Sequence, residues 1–279
     1  MRNLIPRAAA LAGAGTLLAG LAVALTAPPA SASTEVTCPH DNLQAAINAA
    51  APGATIEVSG TCTGTFTITK DLTIQGQPAT TLDGGGTGIV VTVDQGATAV
   101  LHSLTIQHGD GFIGGGIFNG GAVTLEDSTV SGNTASGDGG GIYNNVGTVT
   151  LEDSTVSGNT ASEEGGGINN NGGTVTLEDS TVSGNTAFLG GGIANGGAVT
   201  LKDSTVSGNT ANDEGGGINN NSGTVTLEDS TVSGNTAHFG VGGGISNNLG
   251  ATATLTDSTV SGNKPDNCFP PGSVPGCTG

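Results

Sequence analysis

The chain has 279 residues, 52 of them glycine, with 23 acidic residues against five basic ones and a net charge of −18. Nucleic acid and anionic membrane surfaces call for stripes of Lys and Arg and are therefore excluded as partners. Aromatic residues make up only 3% of the chain, with no tryptophan, which argues against a sugar-stacking cleft.

Residues 1–32 read as an export signal: Arg2 and Arg7 precede an apolar run over 8–25, and Ala30-Ser31-Ala32 is a small-residue cleavage site. The exported chain would begin at Ser33 and be secreted. It would keep three lysines (Lys70, Lys202 and Lys264) and no arginine against the 23 acids, a net charge of −20. Residues 33–54 form an N-terminal cap. Within it, 41–51 is the one helix of the exported chain, with Asp41 or Asn42 at its N-cap, Leu43, Ala46, Ile47 and Ala50 on one face, and Pro52-Gly53 at its end.

Period-two strands start at 55, and 55–98 makes irregular coils with strands at 55–58, 66–68, 72–74 and 89–93, followed by 100–106. His102 and His108, each unique in its position, read as outward surface histidines. Residues 99–263 then repeat nearly verbatim. Leu125, Leu151, Leu177, Leu201, Leu227 and Leu255 recur at 24 to 28 residues, and Ile117, Ile142, Ile168, Ile193, Ile218 and Ile245 at 25 to 27. Two rulers with one period mark a solenoid in which each repeat buries its apolar face against its neighbours.

Within one repeat, Val149, Leu151 and Val156 alternate with Thr, Ser and Glu, and Asp153-Ser154, Gly158-Asn159 and the triplet Gly139 to Gly141 are bends. Three short strands and three bends make a coil, so the expected fold is all-β: a right-handed parallel β-helix of roughly eight or more coils. Val149 should lie over Val123 and under Val175. The inward polar residues are Ser154 and one asparagine per coil, Asn133, Asn159, Asn185, Asn209, Asn235 and Asn263, read as a structural ladder because six equal copies do not make a catalytic group.

The coils resemble the right-handed parallel β-helix repeats of the pectate-lyase-like superfamily. The pairing of Val-Ser-Gly-Asn-Thr-Ala with Gly-Gly-Gly-Ile-x-Asn also resembles the repeat of polymorphic outer-membrane proteins, with Val130 and its copies where that family has Phe and a third Gly where it has Ala. Cys38 through Leu43-Gln44-Ala45-Ala46-Ile47 is similar to the "CSLREAI" lead-in of exported repeat proteins, without its Arg-Glu pair. The resemblance implies the fold; adhesins and unrelated enzymes share it.

Residues 264–279 carry four prolines and two cysteines and are expected to leave the ladder as a cap or tail. The four cysteines suggest two disulfides. Local pairs Cys38–Cys62 and Cys268–Cys277 are expected, since a rod of about 40 Å separates its ends further than a disulfide spans. Three outward columns remain. The Glu-Asp pairs from Glu126-Asp127 to Glu228-Asp229 read as structural, with each Asp bonding turn N–H groups and Lys202 relieving repulsion. A second column, Asp138, Glu163, Glu164, Asp213 and Glu214, supplies hard oxygen donors that could hold Ca²⁺, with a solvated acidic loop as the plainer reading. The third, Thr-x-Thr, is the default outward face of a strand.

These readings give a secreted, monomeric, non-catalytic β-helix acting as a structural, adhesin-like or binding module for a glycan or a protein. The alternative is a polysaccharide lyase or glycoside hydrolase. Uniform columns speak for the module, and unlike polar residues gathered on one or two coils for the enzyme.

Overall fold

The computed structural model describes residues 33–248 and 250–278; the expected export signal lies outside them. Apart from the helix Leu43–Ala49 the described chain is a parallel β-solenoid, and one of its sheets stacks nine strands, one from each of nine coils. Registration is residue on like residue. Val149 pairs with Val123 below and Val175 above, and the leucine column runs unbroken from Leu101 to Leu255.

Each regular coil carries four strands, not three. In one coil these are Thr148–Glu152, Thr155–Ser157, the two-residue Thr160–Ala161 and Ile168–Asn171. The first two lie in one 17-stranded sheet, creased at the aspartate bend and joined across it by the long strands Leu72–Asp83 and Thr98–Gln107. The short strand forms a six-stranded sheet and the Ile strand the nine-stranded one. Composition hid the short strand because its one inward residue, Ala161, is too small to announce a core position; it is nonetheless buried. The core of the coil is Val149, Leu151, Val156 and Ile168, all with no exposed surface, and each contributes about 1.5–3 kcal/mol as an upper bound.

The inward polar residues hold the bends. Asn159 Oδ1 accepts from both Asn133 N (3.0 Å) and Asn133 Nδ2 (3.0 Å), while Asn159 Nδ2 donates to Val130 O and to Asn185 Oδ1, both at 3.0 Å. The same pattern runs from Asn133, whose Oδ1 accepts from Gly109 N, through Asn185, Asn209 and Asn235 to Asn263. A second ladder stands on the Ile strand, where Asn119, Asn144, Asn170, Asn195, Asn220 and Asn247 are joined amide to amide at 2.7–2.9 Å. At the crease the bonds are made by serine. Ser154 Oγ donates to the Glu152 carbonyl and accepts the Ser128 N–H. The adjoining aspartates do not fill the role expected of them. Asp153 and its copies are exposed and sit at φ of 47–49°, a left-handed bend that Asp tolerates better than most residues, so their part is conformational.

Both ends differ from expectation. At the N-terminus the ladder starts one strand early, with Thr34–Thr37 paired to Ala54–Ser59, before the helix turns Leu43 and Ile47 onto the open end of the core. Asn42 is the N-cap, its Oδ1 accepting from Ala45 N at 2.9 Å. At the C-terminus residues 264–278 do not leave the solenoid. Cys268–Phe269 pairs with the Ile245 strand, Asn267 Oδ1 accepts from Asn263 N and Nδ2 to close the first ladder, and Val274 is buried against the core. Prolines stop regular pairing, yet they leave room for one side chain of the right shape at the ladder's end. The disulfides are Cys38–Cys62 and Cys268–Cys277, one at each end, which suits an oxidising, extracellular type of environment. Among the described residues no helix is long and apolar enough to cross a membrane.

Candidate functional site

Two walls of the solenoid are uniform and the third is not. On the creased sheet the outward residues of the regular coils are Thr, Ser and Glu, save for Ala122 and Ala198 in place of one Thr, Thr256 in place of Glu, and Lys202 as the one cation, its Nζ 3.2 Å from Glu178 Oε1 and both side chains well exposed. On the nine-stranded sheet the outward residue lies between the buried Ile and the buried ladder Asn. In coil order the outward residue of this strand is Thr67, Thr92, Phe118, Tyr143, Asn169, Ala194, Asn219, Ser246 and Phe269, the first two and the last having other neighbours than Ile and Asn. This is the position "x" of Gly-Gly-Gly-Ile-x-Asn, which in the regular coils carries in turn Phe, Tyr, Asn, Ala, Asn and Ser.

The loops on either side of that strand vary too. From the Ala of the short strand to the first Gly of the triplet the step is four residues in most coils, three at Ala187–Gly190 and five at Ala237–Gly242. After the ladder Asn, the step to the next strand is three residues at Asn119 and Asn195, four at Asn144, Asn170 and Asn220, and five at Asn247. Among the regular coils all the variation in repeat length thus falls on the two rims of the third sheet; before them, Leu72–Asp83 carries three extra residues at the crease, between Gln75 and Thr80. The ladders anchor the chain on both sides of each rim, so a residue can be gained or lost there without shifting the register of a coil.

The rim before the strand carries the acidic column. It is brought close over the sheet by the first glycine of each triplet. Gly190 has φ 62°, and a Cβ there would lie 2.7 Å from the Ile193 carbonyl and 2.9 Å from Ala194 Cβ. Consequently Asn169, Ala194, Asn219 and Ser246 are more than nine-tenths buried although they face outward. Asp138, Glu163 and Glu164 come together on adjacent coils, with Asp138 Oδ1 accepting the Glu164 N–H at 3.0 Å. Burial pushes the Glu164 carboxyl above its ordinary range, helped by the charges of Asp138 and Glu163, and burial does the same to Asp138. Asp213 and Glu214 lie two coils further on, beyond Phe188 and Leu189, and Glu214 Oε2 accepts from Ser246 Oγ at 3.2 Å. Among the described residues no group of three or more His, Cys, Asp and Glu side chains is arranged to hold a metal ion.

The sparse aromatics are concentrated here. Of six Phe and one Tyr, only Phe66 belongs to the core. Phe118 and Tyr143 stack on neighbouring coils with ring centroids 5.7 Å apart and planes 10° from parallel. Tyr143 Oη accepts from Asn171 Nδ2 at 2.7 Å, and burial raises its phenol above the usual range. Phe112, Phe188 and Phe239 stand exposed along the acidic rim. Low aromatic content therefore did not mean an absence of aromatic surface: six of seven rings share one side of the rod.

Two depressions open on this wall. One, of about 380 Å³, is lined by Asp94, Gln95, Phe118, Gly120, Asn145 and Val146. The other, of about 220 Å³, is lined by residues that include Glu164, Asn169, Asn171, Ala194, Gly196 and Asn221. Each sits at a coil whose post-Asn loop is the short, three-residue form, so that Gly120 and Gly196 leave a gap between the longer loops above and below.

His102 lies in, and His108 just after, the long strand Thr98–Gln107 of the creased sheet, and both are tied to neighbours. His102 Nδ1 is 2.7 Å from Gln75 Nε2 and 2.8 Å from Ser103 Oγ, and its Nε2 is 3.4 Å from Asp127 Oδ2. His108 Nδ1 is 2.9 Å from Asp83 Oδ2. Gln107, more than His108, holds the Asp83 carboxyl below its ordinary range by donating to it. Lys70 caps the helix, its Nζ donating to the carbonyls of Asn48 and Ala50, and Lys264 bridges to Thr236, so the cations are dispersed. Compared with known proteins, the chain matches no protein-family model, no curated protein and no solved structure.

Proposed function

We propose that this protein is an exported β-helix of the kind its repeats resemble, acting outside the cell as a non-catalytic binding module whose binding wall is the nine-stranded sheet and its two rims. The observation that carries this reading is the confinement of the regular coils' length variation, and of nearly all aromatic surface, to that wall. A stacking scaffold requires sameness, and its creased sheet has it; recognition requires differences placed at fixed spacing, and the third wall offers those. The dispersed lysines and the missing arginine speak against a lyase, which needs a base beside a cationic group that stabilises the enolate.

The Asp138–Glu164 pair favours a second reading, a glycoside hydrolase. Neighbouring coils stand about 4.8 Å apart, close to the carboxylate separation of about 5–5.5 Å in retaining enzymes. Both carboxyls are shifted in the same direction, however, whereas acid and nucleophile need environments that push them apart. The test exposes residues 33–279 to a glycan array, with reducing-sugar release and absorbance of unsaturated products followed in parallel. Binding without turnover is the expected result. Turnover abolished by Glu164→Gln would establish the hydrolase instead, and retention of no glycan at all would remove the proposed role.

A further inference from the structure

The two depressions are chemically alike and evenly placed. Each offers one carboxylate (Asp94 or Glu164), side-chain amides (Gln95 and Asn145, or Asn169, Asn171 and Asn221) and a glycine gap that lets a ligand reach the sheet. A carboxylate accepts from two hydroxyls, and an amide donates and accepts at once, which together satisfy the adjacent hydroxyls of a pyranose ring. The Phe118 ring and Val146, 72% exposed, add an apolar surface at the first gap for the C–H face of a sugar. The gaps face the same way, because the strands Ile117–Asn119 and Ile193–Asn195 belong to one sheet in parallel register, with two coils between them. They are thus three coil heights apart, about 14 Å.

A hexose in an extended 1,4-linked chain advances by nearly the height of one coil. We infer that the third wall binds an unbranched, uncharged, extended β-1,4-linked glycan along the rod axis, seating one ring at the Gly120 gap and the third ring beyond it at the Gly196 gap; rings three apart in such a chain are turned by half a turn, and the two carboxylates stand on opposite rims to match, Asp94 after the strand and Glu164 before it. The inference rests on the binding role proposed above and names its ligand. Uronate polymers are disfavoured because the same carboxylates that accept from hydroxyls would face their charges, on a protein already strongly acidic.

Two seats at fixed spacing predict a length dependence, since the second contact becomes intramolecular only when one molecule reaches both. Affinities of residues 33–279 for cello- and chito-oligosaccharides of one to six units, with oligogalacturonates as anionic controls, should rise at least tenfold between three and five units in one of the neutral series. Two variants close the second gap without disturbing the coil. One inserts Asn between Asn195 and Gly196, giving the loop length that neighbouring coils already carry. The other is Gly196→Leu, whose Cβ would meet nothing closer than the Asn170 carbonyl at 3.4 Å and whose side chain fills the gap. Both should keep the melting temperature and abolish the step, leaving the affinity for short oligomers within about twofold. A smooth, step-free dependence, or a step that survives both variants, would overturn the two-seat arrangement. Tighter binding of the uronates would overturn the ligand class. If the protein retains an unrelated ligand that both variants release, the binding wall stands and the ligand falls; an unrelated ligand held equally by wild type, both variants and Phe118→Ala removes the wall itself.

Discussion

Asn159 tests how the solenoid is held together. Its side chain has no exposed surface and makes four hydrogen bonds: two accepted from Asn133, one donated to the Val130 carbonyl and one donated to Asn185 Oδ1. Asn159→Ala removes all four, but the losses are unequal. Asn133 Nδ2 keeps Ile106 O and Ser131 O, and Asn185 Oδ1 keeps Asn159 N, whereas the buried Asn133 N–H loses its acceptor. One orphaned buried donor costs about 1–3 kcal/mol, and the space left by the amide adds to it, so a loss of about 2–4 kcal/mol is expected. Asn159→Asp retains the acceptor, replaces the donor with oxygen and buries a charge. At neutral pH it should be the worse variant, and on acidification, once its carboxyl is protonated and can donate, it should recover relative to Asn159→Ala. Urea titrations followed by circular dichroism at pH 7 and pH 4 measure this, with Thr155→Ala as the outward control. A cost for Asn159→Ala no larger than the control's, or an Asp variant with no pH dependence beyond that of wild type, would refute the ladder as a source of stability.

The in/out register gives a second test: Val156→Asp should cost several kcal/mol, because Val156 is fully buried, and Thr155→Asp much less, with equal losses in denaturant contradicting the register. The raised carboxyls of Asp138 and Glu164 bind protons more tightly folded than unfolded. Stability should therefore fall as pH rises from the ordinary carboxylate range through their folded values, a slope that the double variant Asp138→Asn, Glu164→Gln should flatten in melts across pH 4–8. Asp83 has the opposite sign: its contribution is present above the ordinary Asp range and is lost as pH falls through its depressed folded value, and Asp83→Asn should remove that acid-side loss in melts extended below pH 4. Reduction of Cys38–Cys62, which closes a separation of 24 residues, should cost about 3 kcal/mol of end-cap stability, read as faster hydrogen exchange in 34–63 than in the central coils.

What could be read from the sequence follows from where repetition carries information. Val149, Leu151, Val156, Ile168 and Asn159 recur in each coil, so their inward placement and stacking follow from periodicity alone. The second ladder was equally visible as the Asn of Gly-Gly-Gly-Ile-x-Asn, and was overlooked because a glycine-rich stretch reads as a bend more readily than as a strand. The part played by Asp153 was not legible, because turn chemistry allows an aspartate either to bond turn N–H groups or to adopt the left-handed bend. Asn267 could not be foreseen as the ladder's last member, since it lies four residues after Asn263 where the repeat would have put it a full coil later. For the third wall the signal lay in the departures from the repeat: the changing residue between Ile and Asn, and loops that gain or lose one residue. A search for columns passes over such positions.

The physical separation between scaffold and variable wall explains why the departures gather where they do. Within a strand of the creased sheet a residue gained or lost would move every following side chain of that strand to the opposite face, exposing Val and Leu and burying Thr and Glu. On the rims of the third sheet the same change is absorbed between two fixed points, the buried Ala of the short strand and the buried Ile, or the ladder Asn and the next Val. The coil containing Ala194 has lost one residue from each rim and still pairs in register with both neighbours. Shape can therefore change on that wall at little cost in stability, one coil at a time, while the spacing between any two altered coils stays fixed by the ladder. A surface of that kind is suited to a ligand that is itself periodic, and the Gly120 and Gly196 gaps, alike in chemistry and three coils apart, are the two places where this chain has used that freedom in the same way.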